Sequence, residues 1–181
     1  QYHRYGSVSF FKSVVLYSFV LYFICAYFLV ILPLPDRNSA YHSPSPNLVP
    51  FNFLASMFHV PGVVLLDPRT WPKLLSAGAF YEPVFNLFLT VPFGVYLRYY
   101  KKTSALQTLF YSLLLSLFYE LTQLSGLFFY YPRPYRTFDV NDLMINSLGG
   151  LLGWWACKPF LHFLPTQEKL EEFCRVLGEC R

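Results

Sequence analysis

Four apolar stretches, at residues 8–32, 83–100, 105–131 and 142–162, constrain this chain more than any other feature. Each is close to the roughly 20 mostly apolar residues a helix needs to cross a bilayer. Lipid offers no partner for backbone N–H and C=O groups, so a spanning stretch of this kind must be helical. Prolines punctuate the runs: Pro33 and Pro35 follow the first, Pro132 and Pro134 the third, and Pro159 interrupts the fourth. Proline lacks the N–H that an interior helix position donates. Composition agrees with a lipid setting. Hydrophobic residues are 55% of the chain and charged ones 13%, where a soluble domain carries about 25% charge. The expected fold is all-α: a polytopic membrane helix bundle of four spanning helices, residues 1–165, followed by an amphipathic tail at 166–181.

The first run is too long for a signal-peptide core and lacks a small-residue cleavage site after it, so it is expected to be retained. The chain opens on Gln1 rather than methionine, which points to trimming. Basic residues set the orientation. Arg98, Lys101 and Lys102 fill the short link between the second and third runs, and Arg4 and Lys12 begin the chain. With these in the cytoplasm, both termini are cytoplasmic. Residues 33–82 and 132–141 then face outward. The first of these loops is long for a compact domain, which marks it as functional or structured. Residues 48–66 are apolar but broken by Asn52, His59, Pro61 and Gly62. A fifth span there would place the basic link outside, so a re-entrant or interfacial cap is expected instead. A short interfacial helix is expected over residues 72–80, with Trp71 and Lys73 at headgroup level. In the tail, Leu170, Phe173, Cys174 and Leu177 share one helical face, with Thr166 as a cap and Glu168 in the first turn.

Some classes are excluded. No Lys/Arg block or nucleic-acid motif is present, so no nucleic-acid partner is expected. Cys25, Cys157, Cys174 and Cys180 lack zinc or disulfide-framework spacing and are expected to be reduced. His3, His42, His59 and His162 are scattered. No cofactor is expected.

Polar residues recur at helical spacing inside the apolar runs. Glu82, Asn86, Thr90 and Gly94 share one face of the second. Ser112, Ser116, Glu120 and Gln123 do so in the third. Asp142, Asn146, Gly150 and Gly153 do so in the fourth. The small and hydroxyl-bearing members read as packing seams, with Gly149 and Gly153 a GxxxG pair that could also meet another chain. The charged members read otherwise, because an acid in lipid needs a partner or a cavity. By the helical rise, Asn86 and Asn146 lie about 6 Å inside their helix ends, and Glu120 about 15 Å below Tyr130. These groups are expected to line one cavity in the outer half of the membrane, with Arg133, Arg136, Asp139 and Asp142 at its mouth. The plainer reading of Glu120 is a structural acid bonded to Gln123 and an asparagine. The plainer reading of both arginines is pairing with Asp139 and Asp142, or a place in the headgroup layer. A guanidinium is also a preferred phosphate ligand. Glu120, Asp139, Asp142 and Asn146 are hard oxygen donors, but no fixed loop motif joins them, so no metal is expected.

Four motifs in order then carry a resemblance. They are NLVPF at residues 47–51, Asn86 with PFG at 92–94, E-x-x-Q at Glu120 and Gln123, and R-x-x-DVNDLMINSLGGLLG from Arg136 to Gly153. Together they resemble the VanZ-like family, over about residues 47–155. By that resemblance the motif positions are Asn47, Pro50, Asn86, Pro92, Gly94, Glu120, Gln123, Arg136, Asp139, Asp142, Asn146 and Gly149. The insert YYPRPYRTF, with Arg133 and Tyr135, stands outside the family pattern. The resemblance implies a small multi-pass bacterial membrane protein, its namesake an accessory in teicoplanin resistance, and brings no settled activity.

The expected ligand-binding set is Asn86, Glu120, Gln123, Arg136, Asp139, Asp142 and Asn146. The expected partner is a membrane lipid, a lipid-linked cell-wall intermediate or the acyl chain of a lipoglycopeptide, with Arg136 on an anionic headgroup. The rival is an intramembrane enzyme on a polyprenyl-phosphate or phospholipid. There Glu120 would be the general acid or base, with Asp139 and Asp142 orienting it or binding a metal. A scaffold for protein partners is the third reading.

Overall fold

The computed structural model describes residues 10–32, 34, 45–64, 66–162, 169, 172 and 176. Seven α-helices and two short 3₁₀ segments make up the described elements: α1 Phe10–Ile31, α2 Asn52–Phe58, a 3₁₀ turn Pro68–Thr70, α3 Trp71–Leu75, α4 Gly78–Lys101, α5 Ala105–Leu124, α6 Gly126–Phe129, α7 Val140–Ala156 and a 3₁₀ segment Lys158–His162. The tail residues Leu170, Phe173, Cys174, Leu177 and Cys180 lie outside the described residues, as do Thr166 and Glu168.

By length and composition, Ser13–Ile31 in α1 can cross a membrane alone, and Pro68–Leu75 with Gly78–Lys101, bent by 65°, passes as a pair. The other long helices are diluted by polar residues, and burial shows why. In α5, Ser112, Ser116, Glu120, Thr122 and Gln123 are buried, whereas Leu106, Phe110, Leu114, Phe118 and Leu121 are exposed. A soluble helix shows the reverse pattern. Across the described residues the buried set is mainly polar, and large apolar side chains cover the outside. Such a surface suits hydrocarbon, where polar groups must satisfy one another inside the bundle.

Glycine explains how the bundle closes. α7 packs most closely on α4, and then on α5. A Cβ placed on Gly94 of α4 would overlap the carbonyl oxygen of Gly150. One on Gly149 would overlap the Leu87 carbonyl, one on Gly153 the Val91 carbonyl, and one on Gly150 the Ser112 hydroxyl. The two backbones therefore touch. The GxxxG pair is buried inside the chain against α4, so it is not a surface for another chain. α1 joins by aromatic contacts: Phe19 stacks on Tyr96 with ring centroids 3.5 Å apart, and Tyr22 donates to the Leu89 carbonyl at 2.6 Å.

The basic end is tied by Arg98, which donates to the Trp154 carbonyl at 3.2 Å and lies 3.8 Å from the centroid of its ring. A capping box starts α5 there: the Ser104 hydroxyl accepts from Gln107 N, and the Gln107 side chain accepts from Ser104 N.

Several expected boundaries move; the second run, for one, is helical from Gly78 rather than from residue 83. The third apolar run stops being a right-handed helix at Leu124, not at Tyr131. Gly126 has φ 64°, and Leu127, Phe128 and Phe129 continue at φ 57°, 55° and 68°. A glycine in the left-handed region one residue past the C-cap is a common helix stop. A left-handed residue with a Cβ costs about 1–2 kcal/mol, so the three that follow store strain. The fourth run begins earlier, at Val140, and its α-helix ends at Ala156, giving way to 3₁₀ geometry around Pro159. In the long loop, α2 has seven residues, far short of a span. The expected helix at 72–80 is split between α3 and the start of α4.

Candidate functional site

The end of α1, the start of α4, the end of α5 and the start of α7 meet at one end of the bundle, around a cavity of about 870 Å³. Asn47, and Asn52 and Phe53 of α2, line it as well. Asn86, Glu120, Gln123, Arg136, Asp139, Asp142 and Asn146 all line it. Seven residues from three helices and a loop thus lie around one cavity. Arg133 is exposed and is not among the lining residues.

The sequence explains how each is held. Asp139 is the N-cap of α7, with extended backbone, and its Oδ1 accepts from Asn141 N at 2.8 Å. The same oxygen accepts from Asn141 Nδ2 at 2.7 Å, while Oδ2 accepts from Asn47 Nδ2 at 2.9 Å. The backbone repeats the tie: Asn47 N donates to the Phe138 carbonyl at 2.8 Å and Val140 N to the Asn47 carbonyl at 3.0 Å. Asp139 therefore anchors the loop that carries α2.

Glu120 is 3% exposed, and its Oε2 accepts from Asp139 N at 3.0 Å. Its partner is thus a backbone N–H, not the Gln123 expected from spacing. Because α5 ends at Leu124, Glu120 lies one turn, about 6 Å, from the helix end and not 15 Å deep. Gln123 Nε2 and Arg136 Nη1 both donate to the Val30 carbonyl, at 2.8 and 2.7 Å. That carbonyl belongs to the last turn of α1, whose oxygens have no helical partner, and a cation there also complements the helix dipole. Asn86 Nδ2 donates to Asp142 Oδ1 at 2.7 Å. Asn146 Nδ2 donates to Ser116 Oγ at 2.8 Å, and its carbonyl accepts from Thr90 Oγ1 at 2.7 Å.

Several lining residues were not candidates by sequence, among them Tyr119, Tyr135, Asn141 and Asn52. Tyr119 and Tyr135 are lost among fifteen tyrosines. Burial pushes the Tyr135 phenol up to about 12, so it stays protonated, within 3.5 Å of the Ile31 carbonyl. Asn141 sits in the DVND motif and was detectable by its neighbours. Among the described residues, no group of three or more His, Cys, Asp or Glu is disposed to hold a metal. Cys25 and Cys157 are free thiols.

A family model described as VanZ/LLP1 matches residues 19–163, most of the chain. The chain belongs to the VanZ/LLP1 family. The match takes in the whole cavity lining, from Leu29 to Asn146. No curated protein and no solved structure matches the chain. As a member of the VanZ/LLP1 family with apolar helical segments, it is a membrane protein.

Proposed function

We propose that this is a four-span protein of the bacterial cell membrane with both termini in the cytoplasm. Residues 1–165 form its membrane domain, and the tail 166–181 lies on the inner surface. From the outer leaflet its cavity binds a lipid-linked cell-wall precursor or the acyl chain of a lipoglycopeptide, as an accessory to teicoplanin resistance. One observation carries the reading: a polar cavity opens at the bundle end opposite Arg98, Lys101 and Lys102, inside an apolar exterior. Exposed Leu29 and Phe85 border the same cavity, which suits an acyl chain beside a polar head. Glu120, Asn86 and Asn146 form the polar wall, and Arg136 stands where it can reach a phosphate.

The enzyme reading has less support. It needs Asp139 and Asp142 to work with Glu120, but both Asp139 oxygens are committed to Asn47 and Asn141.

Cells producing Glu120→Gln or Arg136→Ala at wild-type levels are expected to fall to the teicoplanin susceptibility of cells lacking the protein. Glutamine can still accept from Asp139 N, so the first variant tests charge rather than folding. Wild-type resistance in both variants would contradict the proposal.

A further inference from the structure

The cavity is strongly acidic, and buried oxygens around it lack partners. Its charged lining is Glu82, Glu120, Asp139 and Asp142 against Arg136 alone, which gives one of its N–H groups to the Val30 carbonyl and keeps others for a ligand. The side-chain nitrogens of Asn47, Asn86, Gln123, Asn141 and Asn146 each donate to a protein oxygen, while two of the amide oxygens go unmatched. Asn141 and Asn146 are 2% and 5% exposed, and the Oδ1 of each has no partner; the Tyr119 hydroxyl has none either. All three residues line the cavity. A buried acceptor without a donor costs about 1–3 kcal/mol, so leaving several around one cavity is explained best by a ligand that supplies protons.

From this we infer that the ligand's head carries a primary ammonium beside its phosphate. The ammonium enters between Glu120 and Asp142 toward the amide oxygens, and the phosphate stays at the rim by Arg136. The inference rests on the reading of the cavity as a lipid site and names the lipid's chemistry. A bare phosphate head would meet four carboxylates with one guanidinium to offset them. An ammonium offers three donors to a wall of acceptors and neutralises its charge.

The test is a titration of the purified, delipidated full chain, read by native mass spectrometry. Phosphatidylethanolamine and phosphatidylglycerol with identical tails are the probes. Wild type is expected to favour phosphatidylethanolamine by about tenfold, the ratio that corresponds to one charge-assisted hydrogen bond. In Glu120→Gln/Asp142→Asn, whose amide oxygens can still accept from Asp139 N and Asn86 Nδ2, the ratio should fall close to one while thermal stability is kept. Glycerophosphoethanolamine, the same head without tails, should compete weakly. Equal binding of the two lipids by wild type, or a ratio unchanged in the double variant, would overturn the ammonium inference and leave lipid binding standing. Displacement by the tailless head as effective as by the lipid would overturn the lipid source. Saturable binding of neither lipid would overturn the cavity reading itself.

Discussion

Gly94→Ala is expected to leave little or no folded protein, although it adds one methyl group. The new Cβ would overlap the carbonyl oxygen of Gly150 and press on Trp154 N, both of them backbone atoms. A side chain could rotate away; two helix backbones in contact cannot. Overpacking of this kind costs on the order of 3 kcal/mol or more, and in lipid no hydrophobic effect drives the helices together to offset it. Gly150→Ala should behave similarly, since its Cβ meets both the hydroxyl and the Cβ of Ser112 on α5, and rotation cannot move that Cβ away. Gly78→Ala is the control: its Cβ would meet the carboxylate end of Glu82, which can move. Thermal stability in detergent, followed by size-exclusion profile, should show loss of the monodisperse species for Gly94→Ala and near-wild-type behaviour for Gly78→Ala.

Asp139→Ala is expected to be the most damaging change at the cavity. It removes the cap of α7, worth about 1 kcal/mol in typical cases. It also leaves Asn141 Nδ2, on a residue 2% exposed, with only the Val49 carbonyl, and leaves Asn47 Nδ2 without its acceptor. The bonds lost by Asn141 and by the half-buried Asn47 add about 1 kcal/mol or somewhat more, so a total of about 2 kcal/mol follows from the two contributions. The backbone N–H of residue 139 that donates to Glu120 survives the change, so the loss should fall chiefly on the start of α7 and on the loop that carries α2. Proteolysis between residues 45 and 64 should quicken in Asp139→Ala relative to wild type. Asn47→Ala should add little once Asp139 is gone, since the two share one bond. Full additivity of the two changes would show that the tie does not exist.

How far the sequence could be read depends on which physics it displays. The three-and-four spacing of Asn86, Glu120, Gln123, Asp142 and Asn146 was enough to place them on facing helix sides, because inward polar faces are what lipid enforces. The glycine seam was legible for the same reason. What Glu120 bonds to was not, because Asp139 N is brought to it by the loop that crosses from α5 to α7, and spacing within a helix says nothing of that. The dual role of the Val30 carbonyl, shared by Gln123 and Arg136, was equally hidden: a backbone oxygen leaves no mark in the sequence. The early end of α5 was marked by Ser125 and Gly126, but the apolar residues beyond them masked the stop. Their left-handed backbone keeps them outside the helix despite their hydropathy.

The central claim is that the cavity faces the outside of the cell, and labelling of intact cells tests it most directly. Thr137 lines the cavity, so Thr137→Cys is the reporter, in a chain whose four cysteines are replaced by serine. Lys101→Cys reports on the opposite end. A membrane-impermeant maleimide is predicted to react with Thr137→Cys in intact cells and with Lys101→Cys only after permeabilisation. The reverse pattern would put the cavity in the cytoplasm and contradict the account.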